Sequence, residues 1–192
     1  GIFLHTGMGL VSHVFDEPSL SRLPGTIAIG HNRYSTAGSS RLANAQPIVV
    51  DTPEGKLALA HNGNIINAVP LRQELEEKGY HFATTTDSEV IANLVVSSPG
   101  SSLEERIGNA MKRLQGAYSL VLLTEKTLLG VRDPMGVRPL CLGQMENGWV
   151  VASESCALDH IGSNMIREVN AGEVVTIDGD GPRGFQAIAP QT

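Results

Sequence analysis

The feature that most constrains the fold of this chain is the way its predicted helices and strands are grouped along the sequence. Three helical patterns stand together in the middle of the sequence, and after Gly116 closely spaced strand patterns follow one another through short turns. Connections of hairpin length pair strands antiparallel, because parallel neighbours need a crossover of about a dozen residues or more. Helices gathered between runs of strands, instead of one helix after each strand, favour an α+β sandwich over a doubly wound parallel sheet.

The helices are predicted from apolar spacing and from their first residues. Residues 68–78 carry apolar side chains at helical spacing, and Gly79 follows them. The next two helices open at Thr86 and Ser102 on T-x-x-E and S-x-x-E sequences, the pattern of a capping box. Strands are predicted at 2–5, 26–31, 47–50, 56–61, 117–124, 127–131, 139–143, 149–153 and 173–177. Residues 1–180 are expected to form the domain and 181–192 a fraying exit segment.

Composition excludes several classes of protein. The 192 residues, 41% of them hydrophobic, suffice for one domain with its own core. A net charge of −6 without any basic run excludes a nucleic-acid partner, and no apolar run approaches the roughly 20 residues of a membrane-spanning helix. Two cysteines without CxxC spacing, and histidines without HxxxH spacing, predict neither a disulfide framework nor a metal site. A reducing compartment, the cytoplasm, is therefore expected.

The first polar cluster is HNRYSTAG, residues 31–38, at the start of a long polar connection. Arg33 suits a bidentate grip on a carboxylate, and Thr36 would add a hydroxyl beside it. Taken alone, Arg33 is better explained as a surface arginine in a salt bridge.

The second cluster is HNGN, residues 61–64, at the end of a strand. The Asn62 amide and the Gly63 N–H can donate two hydrogen bonds to a developing oxyanion. Asn-Gly is also the commonest tight-turn dipeptide, so a simple turn stays open at this point.

The third cluster is TTTDSE, residues 84–89, at a predicted helix start. The helix dipole would keep Asp87 ionised, so that it could receive a substrate ammonium group. Helix capping accounts for the same aspartate. Two weaker features are Cys156, expected to be buried, and the turn RDPMGVRP, whose arginines Arg132 and Arg138 are expected to anchor the loop to carboxylates or carbonyls.

Together and in this order, the clusters are far more specific than any one of them. The segments GMGLVSHVF, GHNRYSTAG, LAHNGNIINA, TTTDSEVIA, RDPMGVRPL and VASESCALD resemble the glutaminase domain of the amidophosphoribosyltransferases, over nearly the whole chain. The resemblance implies a four-layer αββα sandwich of largely antiparallel sheets, the N-terminal-nucleophile hydrolase fold, incomplete here at its N-terminus. It implies glutamine hydrolysis that supplies ammonia for making 5-phosphoribosylamine from phosphoribosyl pyrophosphate, the first step of purine biosynthesis.

The same resemblance implies a role for each site residue. Arg33, with Thr36 beside it, would bind the α-carboxylate of L-glutamine, and Asp87 would bind its α-ammonium group. Asn62 and Gly63 would form the oxyanion hole, while residues 33–44 would close over the substrate.

One departure from the family pattern concerns the nucleophile. In this family it is an N-terminal cysteine whose own amino group acts as base, and no such cysteine stands at Gly1. The chain is therefore expected to be an incomplete piece that cannot hydrolyse glutamine alone, with its phosphoribosyltransferase domain missing. No cofactor is expected in this domain; Mg²⁺, an optional 4Fe-4S cluster and a homotetramer are implied for the full-length enzyme.

Two alternatives stay open. A glutaminase domain of the glucosamine-6-phosphate synthase type shares the Arg, Asn-Gly and Asp positions, although Tyr34 and Asn64 fit the purine enzymes better. A non-catalytic glutamine-binding domain would keep the pocket without the nucleophile.

Overall fold

A computed structural model describes residues 1–33 and 41–191. Its helices are α1 Val11–Val14, α2 Glu17–Leu20, α3 Ala68–Glu77, α4 Asp87–Ser97, α5 Leu103–Met111 and α6 Ser155–His160, with a 3₁₀ turn at Leu42–Asn44. Its strands are β1 Ile48–Thr52, β2 Gly55–Ile65, β3 Gly116–Leu123, β4 Leu128–Arg132, β5 Cys141–Met145, β6 Gly148–Ala152, β7 Asn164–Glu168, β8 Glu173–Asp178 and β9 Gly181–Gln186.

Within the described residues the strands form two antiparallel sheets. The larger has six strands in the order β1-β2-β3-β4-β8-β9, and the smaller has three in the order β6-β5-β7. Each neighbouring pair is antiparallel. Hairpin-length turns predict this for β1–β2, β3–β4, β5–β6 and β8–β9, whereas β2–β3, β4–β8 and β5–β7 pair across longer connections. The long central strand β2 pairs with β1 through its first half and with β3 through its second half, so its end extends past β1.

The two sheets pack face to face through an apolar cluster. Leu128, Val175 and Ile177 of the large sheet meet Leu140 and Leu142 on the small one. At Gly130 on β4 a Cβ atom would lie 3.1 Å from Val151 and 3.3 Å from Leu140, so the absence of a side chain lets the sheets approach closely.

Helices cover the outer face of each sheet. Helices α3, α4 and α5 pack on the large sheet and enclose the main core. This core includes Leu75, Ile91 and Ile107 of the helices and Leu120 and Leu129 of the sheet. Helix α6 lies on the small sheet, where its fully buried Leu158 covers the space above Gly143. The order helix, sheet, sheet, helix confirms the four-layer αββα sandwich.

The start of α4 forms only the first half of the predicted capping box. The Thr86 side chain accepts from the Glu89 N–H, as expected. The Glu89 carboxylate, however, accepts from the N–H groups of Ala83 at 2.8 Å and Thr84 at 2.7 Å. The carboxylate therefore ties down the loop that precedes the helix.

Three expectations about strands are wrong. Residues 2–5 and 26–31 are not strands: neither segment has a ladder partner in the part of the chain that is described, and both line a cavity of about 1000 Å³. Conversely, Gly181–Gln186 is the edge strand β9, not a fraying exit, and Ala187 and Ile188 pack onto the main core. Glycine and proline lower strand propensity, but an edge strand tolerates Pro182.

No helix in the described ranges is long and apolar enough to cross a bilayer.

Candidate functional site

A cavity of about 720 Å³ lies where the end of β2, the first turn of α4 and the segment 30–33 converge. Four of the residues predicted for the site, Arg33, Asn62, Gly63 and Asp87, line it. Thr36 and residues 34–40 of the predicted closing loop lie outside the described residues. The structure therefore brings together the four predicted residues that it describes.

Asn62 and Gly63 lie inside β2, so the interpretation as a tight turn is wrong. They pair with Ser119 and Tyr118 of β3. Gly63 has a φ of 151°, and a Cβ atom there would lie 2.1 Å from the carbonyl oxygen of Ala117. Only glycine fits, because the two backbones touch. Asn62 and Gly63 are both half-buried, and both line the cavity.

Asp87 is the first residue of α4, and only 9% of it is exposed. Its Oδ2 accepts from the Ile65 N–H at 3.3 Å, and its Oδ1 lies 3.7 Å from Nδ1 of His61. Burial opposes the charge, but His61 and the Ile65 N–H outweigh it and hold the Asp87 pKa below its ordinary value. The cavity therefore contains a shielded carboxylate that is ionised at neutral pH.

Arg33 supplies the opposite charge. It is half-buried and lines both this cavity and the larger one next to it. A guanidinium and a carboxylate around one cavity suit a ligand that carries both charges, since a zwitterion satisfies each of them.

His31 stays neutral beside them. Its Nε2 lies 3.0 Å from the His61 carbonyl oxygen, and because a carbonyl only accepts, Nε2 carries the proton. Burial lowers the His31 pKa, opposed by this hydrogen bond and assisted by the nearby His61 and Arg33.

The depressed pKa of His31 predicts that acid destabilises the fold. In the unfolded chain His31 takes up a proton near pH 6.5, whereas in the folded chain it does so only at lower pH. The stabilising contribution of neutral His31 is therefore complete above pH 6.5 and decreases below it. We expect the melting temperature to drop between pH 7 and pH 5, and to drop less in His31→Gln, whose amide can still donate to the carbonyl. Thermal melts across this range measure it. His13→Gln, at an exposed histidine, is the control; equal acid sensitivity of wild type and His31→Gln would contradict the prediction.

The cavity also contains residues that the sequence motifs did not single out for the site: Gln46, Arg138, Glu154 and Cys156. Cys156 is exposed, with its Sγ 3.5 Å from Oε2 of Glu154, so the expectation of a buried thiol is wrong. Helix α6 packs on the small sheet through its buried Leu158, and this orientation leaves Cys156 on the side of the cavity.

The two arginines of the RDPMGVRP turn behave differently. Arg132 donates to the carbonyls of Arg138, Val169 and Gly136 and pairs with Glu168, so its anchoring role is confirmed. Arg138 is held through its own carbonyl oxygen, while its side chain is exposed on the cavity wall. The one sequence signal that could have drawn attention to Arg138 was its place in the same RDPMGVRP motif as Arg132.

No group of three His, Cys, Asp or Glu side chains in the described ranges could hold a metal ion.

The chain matches known proteins along its length. The family model described as "Glutamine amidotransferase domain" matches residues 31–160. Amidophosphoribosyltransferase 2, chloroplastic, of Arabidopsis thaliana is 53% identical over 186 residues, 96% of this chain and 33% of that protein. Amidophosphoribosyltransferase of Bacillus subtilis is 44% identical over 178 residues, 92% of this chain and 37% of that protein.

Solved structures agree. The glutamine phosphoribosylpyrophosphate amidotransferase from B. subtilis, complexed with ADP and GMP, superposes with a TM-score of 0.89 at 40% identity, covering 96% of this chain and 40% of that one. A class-II domain protein from Silicibacter pomeroyi, 21% identical with a TM-score of 0.53, shares the fold. The chain spans between a third and two fifths of the length of these amidophosphoribosyltransferases. It belongs to the glutamine amidotransferase domain family, and the resemblance to the amidophosphoribosyltransferases is confirmed.

Proposed function

We propose that this chain is the glutamine-binding part of an amidophosphoribosyltransferase. The observation that carries the proposal is that Arg33, Asn62, Gly63 and Asp87, far apart in sequence, line one cavity. The names of the relatives support the same assignment, and they favour it over the glucosamine-6-phosphate synthase type.

The charges and donors of the cavity support a role for each residue. The Arg33 guanidinium binds the α-carboxylate of L-glutamine, and the shielded Asp87 carboxylate binds the α-ammonium group. Asn62 and Gly63 donate to the side-chain carbonyl, whose oxygen becomes an oxyanion during hydrolysis. Thr36 is proposed beside the α-carboxylate from the family resemblance alone.

The complete reaction depends on groups that the cavity residues do not supply. Neither Cys141 nor Cys156 is N-terminal, so neither has the free α-amino group that would act as its base. The proposed nucleophile is the family's N-terminal cysteine, and we expect this 192-residue chain to release no glutamate from glutamine. Ammonia transfer to phosphoribosyl pyrophosphate, Mg²⁺, the iron–sulfur cluster and a homotetramer are proposals for the full-length enzyme. A cytoplasmic location is likewise a prediction, since the plant relatives are named chloroplastic.

Arg33→Ala tests the proposed function. Loss of a charge-assisted bidentate contact in a half-buried position is expected to weaken L-glutamine binding about 10- to 100-fold. Titration calorimetry of the purified chain measures it, with Arg22→Ala, at an exposed arginine, as the matched control. Absence of binding to the wild type, or equal affinity of Arg33→Ala and wild type, would overturn the assignment.

A further inference from the structure

The ladder between β1 and β2 continues beyond the last strand residue of β1. The final registered pair is Ile48 with Leu59, and the same register places Gln46 opposite His61. Pro47, which lies between Gln46 and Ile48 in the chain, has no N–H to donate.

At that position the side chain of Gln46 makes the hydrogen bonds that the backbone of a neighbouring strand would otherwise make. Its Oε1 accepts from the His61 N–H at 2.7 Å, and its Nε2 donates to the His61 carbonyl at 3.5 Å. One amide therefore reproduces both hydrogen bonds of an antiparallel pair. His31 adds a stronger donor to the same carbonyl, at 3.0 Å.

His61 immediately precedes Asn62 and Gly63. Gly63 is already confined against the Ala117 carbonyl. With His61 clamped on one side and Gly63 confined on the other, the backbone of Asn62 is held at both ends.

A second amide on the same short segment reaches the other half of the cavity. Asn44 is 2% exposed; its Oδ1 accepts from the Thr85 N–H at 3.1 Å, and its Nδ2 donates to Thr85 Oγ1 at 3.0 Å. Thr85 lies two residues before Asp87. The segment therefore contacts both the carbonyl side and the ammonium side of the proposed site.

We propose that Gln46 and Asn44 are positioning residues: Gln46 aligns the Asn62–Gly63 donors through His61, and Asn44 places Asp87 through Thr85. This inference rests on the proposed function for its ligand. It goes beyond that function by assigning the two ends of the ligand to two different supporting amides.

The test compares L-glutamine with L-norvaline, which keeps the α-carboxylate and α-ammonium groups but has a methyl in place of the carboxamide. In Gln46→Met we expect the Kd for L-glutamine to rise about tenfold, the effect of one misaligned hydrogen bond, while the Kd for L-norvaline stays within about twofold. In Asn44→Leu we expect both Kd values to rise by a similar factor. Gln73→Met, at an exposed glutamine of α3, is the matched control.

A purely structural role would not produce this selectivity. If Gln46→Met weakens both ligands equally, or neither, its positioning role is wrong; if Asn44→Leu spares either ligand, that of Asn44 is wrong. Gln46→Glu retains the acceptor for the His61 N–H and should fall between wild type and Gln46→Met. It also serves as the folded variant if Gln46→Met does not fold.

Nuclear magnetic resonance separates this inference from the proposed function. Without any ligand, we expect hydrogen exchange at the His61 amide to be at least about tenfold faster in Gln46→Met than in wild type. The Asn62 side-chain amide signals should shift or broaden in the same variant and stay unchanged in Gln73→Met. If wild type binds neither amino acid, the proposed function fails, while these signals still decide whether Gln46 positions Asn62; unchanged signals in Gln46→Met would overturn that role.

Discussion

Gly63→Ala is expected to destabilise the fold by about 2–5 kcal/mol, a large part of the roughly 5–15 kcal/mol by which a typical domain is stable. The added Cβ would lie 2.1 Å from the Ala117 carbonyl oxygen and 2.8 Å from Cα of Tyr118, and both atoms belong to the backbone of β3. Backbone cannot move aside as a flexible side chain can. The strained φ of 151° adds to the cost. Relief requires β2 and β3, two interior strands of the large sheet, to separate at this point.

Urea denaturation followed by circular dichroism measures the effect, through the midpoint and the extrapolated free energy of unfolding. Gly148→Ala is the matched control, because a Cβ at this strand position meets nothing within 4 Å. We expect Gly148→Ala to change stability by less than about 1 kcal/mol. A Gly63→Ala protein as stable as wild type would show that β2 and β3 do not approach this closely in solution.

Asp87→Asn is expected to weaken L-glutamine binding about 10²- to 10³-fold at pH 7. The substitution keeps the shape of the side chain and removes its charge, so the ligand ammonium would be desolvated in the cavity with no anion to receive it. An uncompensated buried charge costs about 3–5 kcal/mol, and the lower half of this range corresponds to the expected loss of affinity. The low exposure of Asp87, 9%, makes this loss larger than the one expected for the half-buried Arg33.

Calorimetry with L-glutamine measures the loss, and thermal melts of the same samples check that the variant is folded. Asp180→Asn, at a carboxylate that is 93% exposed, should bind as wild type does. Retention of wild-type affinity by a folded Asp87→Asn protein would remove Asp87 from the ammonium site.

The stabilities of wild type and Asp87→Asn should differ in their pH dependence, and the direction of the Asp87 pKa shift gives the sign of the difference. The pKa of Asp87 lies below its ordinary value of 3.8, so the folded state prefers the ionised form. Its stabilising contribution is complete above that ordinary value and is lost as the pH falls through the lowered one. Below pH 4, therefore, wild type should lose more stability than Asp87→Asn does, provided that both are measured in the same salt.

Local patterns predicted the elements whose signals lie within a few residues. Apolar spacing with Gly79, and the hydroxyls of Thr86 and Ser102, identified α3, α4 and α5 because a helix closes its own hydrogen bonds. The hairpin β1–β2 was predicted for the same reason, since its two-residue turn sits between its own strands. Segments 2–5 and 26–31 have strand-like composition, but a strand needs a partner, which composition does not record.

For the candidate site, the motifs were enough to predict the chemical groups: a guanidinium, a carboxylate at a helix start and an Asn-Gly pair, in an order that identified the family. It took the folded chain to show that these groups share one cavity, that Asn-Gly is strand instead of turn, and that Gln46, Arg138 and Cys156 lie beside them. This difference follows from the range of the forces involved. Capping and periodicity act over about one helical turn, whereas the cavity depends on sheet register and on the packing of layers, which join residues dozens of positions apart.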